Sequence, residues 1–103
     1  MKVFLDDMRQ PPKGWRLAKT AKDTISLIKK YNVSELSLDY DLGAINETGH
    51  DVLLWLEKQI FEKRNFKLPK KIKVHTTNPL AYKRMMQTVE EIYDLYYIKS
   101  MIK

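Results

Sequence analysis

The stretch Leu36-Ser37-Leu38-Asp39-Tyr40-Asp41-Leu42-Gly43 decides the fold. Its leucines are what a strand covered on both faces in a parallel sheet requires, and Gly43 marks where the chain turns. Two acids, one residue apart, are thereby delivered to the carboxyl edge of a sheet, where open α/β folds bind ligands. A second acidic pair, Asp6-Asp7, ends another short apolar run, Val3-Phe4-Leu5.

Outward from these two runs the remaining elements follow in order. After the strand at 2–5, Met8-Arg9-Gln10-Pro11-Pro12-Lys13-Gly14 carries a proline pair and a glycine that forbid a helix and impose a loop bearing Arg9. Trp15-Arg16-Leu17-Ala18-Lys19 alternates apolar and basic residues, the pattern of an edge strand. Thr20 with Asp23 opens a helix whose apolar face is Ala21, Ile25, Ile28 and Tyr31 and which ends near Asn32. Thr48-Gly49-His50-Asp51 repeats this start, and Val52, Leu53, Leu56 and Ile60, widened by Leu54 and Trp55, predict a second helix to about Arg64. Lys71-Ile72-Lys73-Val74-His75 alternates again as a strand. Asn78-Pro79 then caps and starts a third helix, with Tyr82, Met85, Met86, Val89, Ile92 and Tyr93 at helical intervals. For residues 94–103, Tyr96-Tyr97-Ile98 favours a short final strand over a prolonged helix. The sequence thus predicts a single α/β domain over residues 1–103, a flavodoxin-like three-layer sandwich. Its parallel sheet has four or five strands, helices on both faces, and the first strand beside the third.

A chain of 103 residues buries about 60–70% of its unfolded surface, enough for one core. With 44% hydrophobic and 31% charged residues, neither disorder nor a repeat is indicated. No cysteine is present, which removes disulfides and thiolate metal sites. The first residues meet acids too soon for a signal peptide and no apolar run has membrane-spanning length, so a cytoplasmic protein without a membrane partner is expected. The net charge of +6 gathers at Lys29-Lys30, Lys63-Arg64 and the Lys67 to Lys73 stretch. Such a field reads either as a solvated surface or as steering of a phosphorylated small molecule or nucleic acid.

With strands one, three and four adjacent, their ends gather Asp6, Asp7, Asp39, Asp41, His75, Thr76, Thr77 and Asn78 around one crevice. Two carboxylates about 4 Å apart repel by about 4 kcal/mol at an effective dielectric of about 20, so such a cluster needs protons or a cation. Oxygen ligands without cysteine point to Mg²⁺ or Mn²⁺, held by Asp6, Asp7 and Asp39. The free N–H groups of the helix starting at Asn78-Pro79, the Thr76 and Thr77 hydroxyls and Arg9 favour a phosphate. His75 is a candidate acid, base or ligand, whereas His50, Asp23 and Asp51 read as structural. Lys99 reaches the same edge if the final strand forms.

Asp6-Asp7 after the first strand, Asp39 ending the third, a Thr after the fourth and Lys99 resemble a response-regulator receiver domain. The loop in place of the first receiver helix and the second acid, Asp41, depart from it. Phe4-Leu5-Asp6-Asp7-x-Arg9, Gly14-Trp15, Ser37-Leu38-Asp39-x-Asp41-Leu42-Gly43, Thr48-Gly49 and His75-Thr76-Thr77-Asn78-Pro79 are similar to the cyclic-phosphate processing receiver domain family, over residues 2 to about 86. The resemblance implies a receiver fold recast as a phosphoester-handling site around Asp6, Asp7, Asp39, Asp41, His75 and Asn78. Independently, Asp39-x-Asp41 matches the spacing in haloacid-dehalogenase-like phosphatases, where the first Asp attacks phosphorus and the second handles the leaving group's proton.

The leading expectation is a metal-dependent enzyme acting on a cyclic phosphate or cyclic nucleotide, an RNA end included. Asp39 acts there as nucleophile or ligand, and Asp41 or His75 moves the proton. The alternatives are a signalling module phosphorylated on Asp39, which passes its state to a partner protein, and a nucleic-acid-binding domain using the Lys63 to Lys73 stretch. Both phosphoryl readings require the carboxylates of Asp6, Asp7, Asp39 and Asp41 to converge.

Overall fold

The computed structural model describes residues 1–43 and 47–102; the part of the loop after Gly43 at 44–46 and the terminal residue 103 lie outside the described residues. The elements are β1 (Lys2–Leu5), β2 (Arg16–Ala18), α1 (Ala21–Lys30), β3 (Glu35–Leu38), α2 (Gly49–Glu62), β4 (Lys71–Val74) and α3 (Pro79–Met101). The strands form one sheet in the order β2-β1-β3-β4, every neighbouring pair parallel. This is the expected receiver-like α/β class, with the alternating Trp15 to Lys19 segment at the edge. No helix among the described residues is long and apolar enough to cross a membrane.

Register and burial show how the layers form. Val3, Leu5, Leu36, Leu38, Ile72 and Ala18 share one face and join a single buried cluster with residues of all three helices. Phe4 and Ser37, one residue out of phase, point the other way, as strand alternation demands. α1 packs on α2 and α2 on α3, so the described helices cover one face, where the sequence predicted helices on both. The reason lies in the β1–β2 connection. Right-handed crossovers put α1 and α2 on the same side and send the oppositely directed β1–β2 connection to the other, and there the Pro11-Pro12 loop stands in for a helix. Trp15 at the end of that loop meets Phe4 edge-on at 6.4 Å and partly covers it.

The local start signals work as read. The Asp23 N–H donates to Thr20 Oγ1 at 3.0 Å, and the Thr48 N–H donates to Asp51 Oδ2 at 2.8 Å. Leu54, read as part of the buried face of α2, is 50% exposed, whereas Leu53 and Leu56 are fully buried. The final strand is not formed: α3 continues to Met101. Three long-range bonds reward the helix, from Tyr93 Oη to the Pro69 carbonyl at 2.8 Å and from Lys99 Nζ to the carbonyls of Ile60 and Phe61 at 2.6 and 2.9 Å. Lys99 therefore satisfies the carboxyl end of α2, where carbonyls lack partners within the helix. Ile60 lies eleven residues beyond Gly49, about 16 Å down the helix from the end of α2 that meets β3.

Candidate metal and phosphate site

Backbone hydrogen bonding continues one residue past three strands. Asp6 N–H donates to Ala18 O, Asp39 N–H to Leu5 O and His75 N–H to Leu38 O, each at 3.0 Å. Asp6, Asp39 and His75 thus form the next row of the sheet beyond Phe4 and Ser37, on the face away from the helices. One ligand atom from each of the three lies within 4.8 Å of the others.

His75 is held on three sides. Its ring stacks on Phe4 with centroids 4.2 Å apart and planes 4° from parallel. Nδ1 is 2.7 Å from Ser37 Oγ, and Nε2 is 3.0 Å from Asp6 Oδ2. An ionised carboxylate only accepts, so Nε2 carries a proton and donates to Asp6, while the Ser37 hydroxyl, able to donate or accept, pairs with Nδ1. Asp6 is 1% exposed, and its Oδ1 accepts from the N–H groups of Met8 and Arg9 at 2.8 and 2.9 Å. The Arg9 side chain returns to the same place, with a guanidinium N–H donating to the His75 carbonyl at 3.1 Å.

The two carboxylates differ electrostatically. Burial is the largest influence on Asp39 and pushes its carboxyl above the usual value; the Tyr40 N–H bond opposes this and the nearby Asp6 charge reinforces it. Burial pushes Asp6 up as well, but the Arg9 and Met8 N–H groups and His75 together outweigh it, leaving that carboxyl below the usual value. Asp39 accepts from the Tyr40 N–H through Oδ1 at 2.8 Å, and its second oxygen makes no hydrogen bond among the described residues.

Asp7 and Asp41 are not in this three-residue cluster. Asp7 is outside the three-residue cluster; its Oδ2 sits 2.9 Å from where a Cβ on Gly43 would lie, and Gly43 has φ +72°, so only glycine suits that turn. Asp41 is exposed and bridges antiparallel to Thr48. β3 ends at Leu38, so strand alternation no longer sets the direction of residue 41. The cluster is therefore two carboxylates and an imidazole; the convergence of four carboxylates that the sequence reading required is not seen in it, and a cation site rests on Asp6, Asp39 and His75 alone. Thr77 is exposed, while Thr76 Oγ1 accepts from the Asn78 N–H at 3.2 Å. Asn78 caps α3: its Oδ1 accepts from Ala81 N–H at 3.1 Å and its carbonyl from Tyr82 N–H at 2.9 Å. Pro79 has no N–H, so in the first turn only the Leu80 N–H remains for an anion, fewer donors than the sequence reading assumed. Lys99, at the far end of α2, is not at this edge. A cavity of about 190 Å³ beside the site is lined by Tyr40, His50, Asn78, Leu80, Ala81 and Arg84. His50 hydrogen-bonds Thr88 Oγ1 at 3.0 Å, in keeping with a structural role.

Sequence reading passed over Ser37, whose Oγ lies 2.7 Å from His75 Nδ1. The signal for Ser37 was present, since a lone hydroxyl among strand leucines needs a partner. Ser37→Ala is expected to cost about 1–2 kcal/mol by leaving His75 Nδ1 without its bond, and Ser37→Thr to restore most of it, read as melting temperatures.

A four-stranded parallel sheet with a carboxylate-rich carboxyl edge and a residue 39 acid on its third strand defines a receiver-like domain. The chain belongs to the cyclic-phosphate processing receiver domain family, whose model matches residues 1–91. No curated protein and no solved structure matches the chain.

Proposed function

We propose that this receiver-like domain is a divalent-cation-dependent phosphoesterase acting on a cyclic phosphate, with cyclic nucleotides or RNA 2′,3′-cyclic ends as the substrate class. The observation that supports it most is the row of Asp6, Asp39 and His75, whose ligand atoms lie within 4.8 Å of one another. The donor set fits a cation: two carboxylates held close, one of them with a raised pKa because its negative charge is poorly accommodated. An imidazole in the set suits Mn²⁺ better than Mg²⁺, which prefers oxygen ligands. Asp6, Asp39 and His75 would hold the ion, and when bound it supplies charge neutralisation and polarisation of a phosphoryl oxygen.

The chain's own residues have separate parts to play. Arg9 carries guanidinium donors beyond the one given to the His75 carbonyl, and these suit the non-bridging oxygens of a phosphate. Asp39 offers its unbonded oxygen as ligand or nucleophile. To hold an ion through Nε2, His75 would have to offer that nitrogen's lone pair and carry its ring proton on Nδ1, facing Ser37 Oγ as acceptor. A hydroxyl serves in both states because it both donates and accepts.

This sets the pH dependence. A raised Asp39 pKa means that its ionisation opposes folding: the stability it contributes is complete below the ordinary value of 3.8 and is lost as pH rises through the raised value. A cation competes with the proton for Asp39, so the rise in melting temperature on adding Mn²⁺ is expected to be small in acid and to grow towards neutral pH. Scanning calorimetry with and without Mn²⁺ at several pH values checks this, and an Mn²⁺ effect largest in acid contradicts it.

The alternative, a signalling receiver phosphorylated on Asp39, gains nothing from Lys99, whose ammonium is engaged at the opposite end of α2. The deciding experiment is turnover of 3′,5′- and 2′,3′-cyclic nucleotides and of an RNA 2′,3′-cyclic end with Mn²⁺ or Mg²⁺, followed by ³¹P NMR. Ring opening to a phosphomonoester is expected. No turnover, together with acetyl phosphate adding one phosphoryl group to the intact mass, favours the signalling alternative.

A further inference from the structure

At the end of α2 remote from the acids, the loop after that helix and the last turns of α3 enclose a cavity of about 390 Å³. Lys63, Arg64, Lys67 and Lys99 line it, with the half-buried rings of Phe66 and Tyr96, and no carboxylate is among its lining residues. A neighbouring cavity of about 520 Å³ shares Lys63, Phe66 and Lys67 and adds Lys29 and Trp55. The Trp55 indole meets Phe66 edge-on at 5.9 Å and lies 5.8 Å from Lys29 Nζ. Among the described residues the only Lys or Arg paired with a carboxylate is Lys2, with Glu35, so none of these cations is bonded to a carboxylate. Glu62 lines a smaller cavity together with Arg64 and Lys99.

The helix end does not account for this charge. The carboxyl terminus of α2 attracts cations, but Lys99 alone meets it, donating to Ile60 and Phe61. Lys63, Arg64 and Lys67 remain, three like charges crowded beside two aromatic rings. Their mutual repulsion is relieved by a multivalent anion, and the rings offer flat apolar surface next to it. A cavity of this size lies within the range of small-molecule sites, about 300–1,000 Å³.

We propose that this cavity is a second ligand site, which binds a nucleoside polyphosphate with its phosphates against Lys63, Arg64 and Lys67 and its base against Phe66 and Tyr96. The site is separate from the acid cluster and does not depend on the phosphoesterase reading. The test is an NMR titration of the ¹⁵N-labelled chain with ATP in the presence of EDTA, which keeps the acid edge free of divalent cations. Saturable shifts are expected at Lys63, Phe66, Lys67 and Tyr96, with none at Asp6, Asp39 or His75. The double variant Lys63→Glu/Lys67→Glu, at two exposed positions, is expected to weaken binding about tenfold or more while the rest of the spectrum stays unchanged. Inorganic tripolyphosphate, which lacks a base to stack, is expected to bind about tenfold more weakly than ATP. Shifts confined to the acid edge, a titration that never saturates, or affinity indifferent to the charge reversal overturns the proposal. Equal binding of tripolyphosphate and ATP also overturns it, leaving a solvated basic surface that attracts any polyanion.

Discussion

Gly49→Ala is expected to destabilise the fold by about 3 kcal/mol or more, although alanine is the better helix former by about 1 kcal/mol. A Cβ at position 49 would lie 1.7 Å from the Asp39 carbonyl oxygen and 2.8 Å from its carbonyl carbon, and 3.3 Å from Met85 Cε. The obstructing atoms are backbone, so a rotamer change cannot relieve the overlap; either the start of α2 withdraws or the end of β3 moves. The Gly49 N–H donates to the Tyr40 carbonyl at 3.1 Å, so both movements disturb the segment that carries Asp39. Activity and melting temperature are expected to fall together. Gly14→Ala provides the contrast: unlike Gly49, Gly14 has a positive φ, +87°, but a Cβ there meets nothing within 4 Å, so its cost is confined to backbone strain of about 1–2 kcal/mol.

Asp39→Asn is expected to separate stability from activity. The carboxamide keeps the shape and can still accept the Tyr40 N–H through oxygen, but it removes a charge that burial and Asp6 both disfavour. Without divalent cations at neutral pH the variant is expected to melt above the wild type. Turnover of a cyclic phosphate is expected to fall by about a thousandfold or more, since an uncharged group neither attacks phosphorus nor holds a cation well. Added Mn²⁺ is expected to raise the wild-type melting temperature and to leave that of Asp39→Asn nearly unchanged. Thermal melts with and without Mn²⁺, beside ³¹P turnover, measure both effects. A variant less stable than the wild type under metal-free conditions contradicts the electrostatic account of this residue.

Much of the architecture was legible because its signals are local. The apolar runs ending in Asp6 and Asp39, the Thr-x-x-Asp helix starts and the Asn78-Pro79 cap each specify an element within a few residues. The alternating segment at 15–19 also gave its edge position. What failed depended on where regular structure stops. The tail at 94–103 carries strand-favouring residues, yet Tyr93 and Lys99 find backbone carbonyls on neighbouring segments only if the helix continues. Tertiary bonds overrode propensity there. Helices were expected on both faces, but the proline-bearing loop occupies the side that a helix between β1 and β2 would cover.

The site shows the same division. Adjacency of β1, β3 and β4 placed Asp6, Asp39 and His75 together, and the sequence contained enough to select Asp6 over Asp7. Asp6 is two residues after Phe4 and continues its side of the strand, while Asp7 falls out of phase. The Asp39-x-Asp41 spacing applies strand alternation past Leu38, where the strand has ended, so that spacing alone does not fix where Asp41 points. Ser37 was visible as an isolated hydroxyl in an apolar strand, but its partner is 38 residues away and emerges only with the register of β4.

The most direct test of the site is an Mn²⁺ titration followed by electron paramagnetic resonance on the wild type, Asp39→Asn and Asp7→Asn. One bound ion per chain is expected for the wild type and for Asp7→Asn, with binding lost in Asp39→Asn. Binding that survives Asp39→Asn, or that disappears in Asp7→Asn while the protein remains folded, contradicts a cation site built from Asp6, Asp39 and His75.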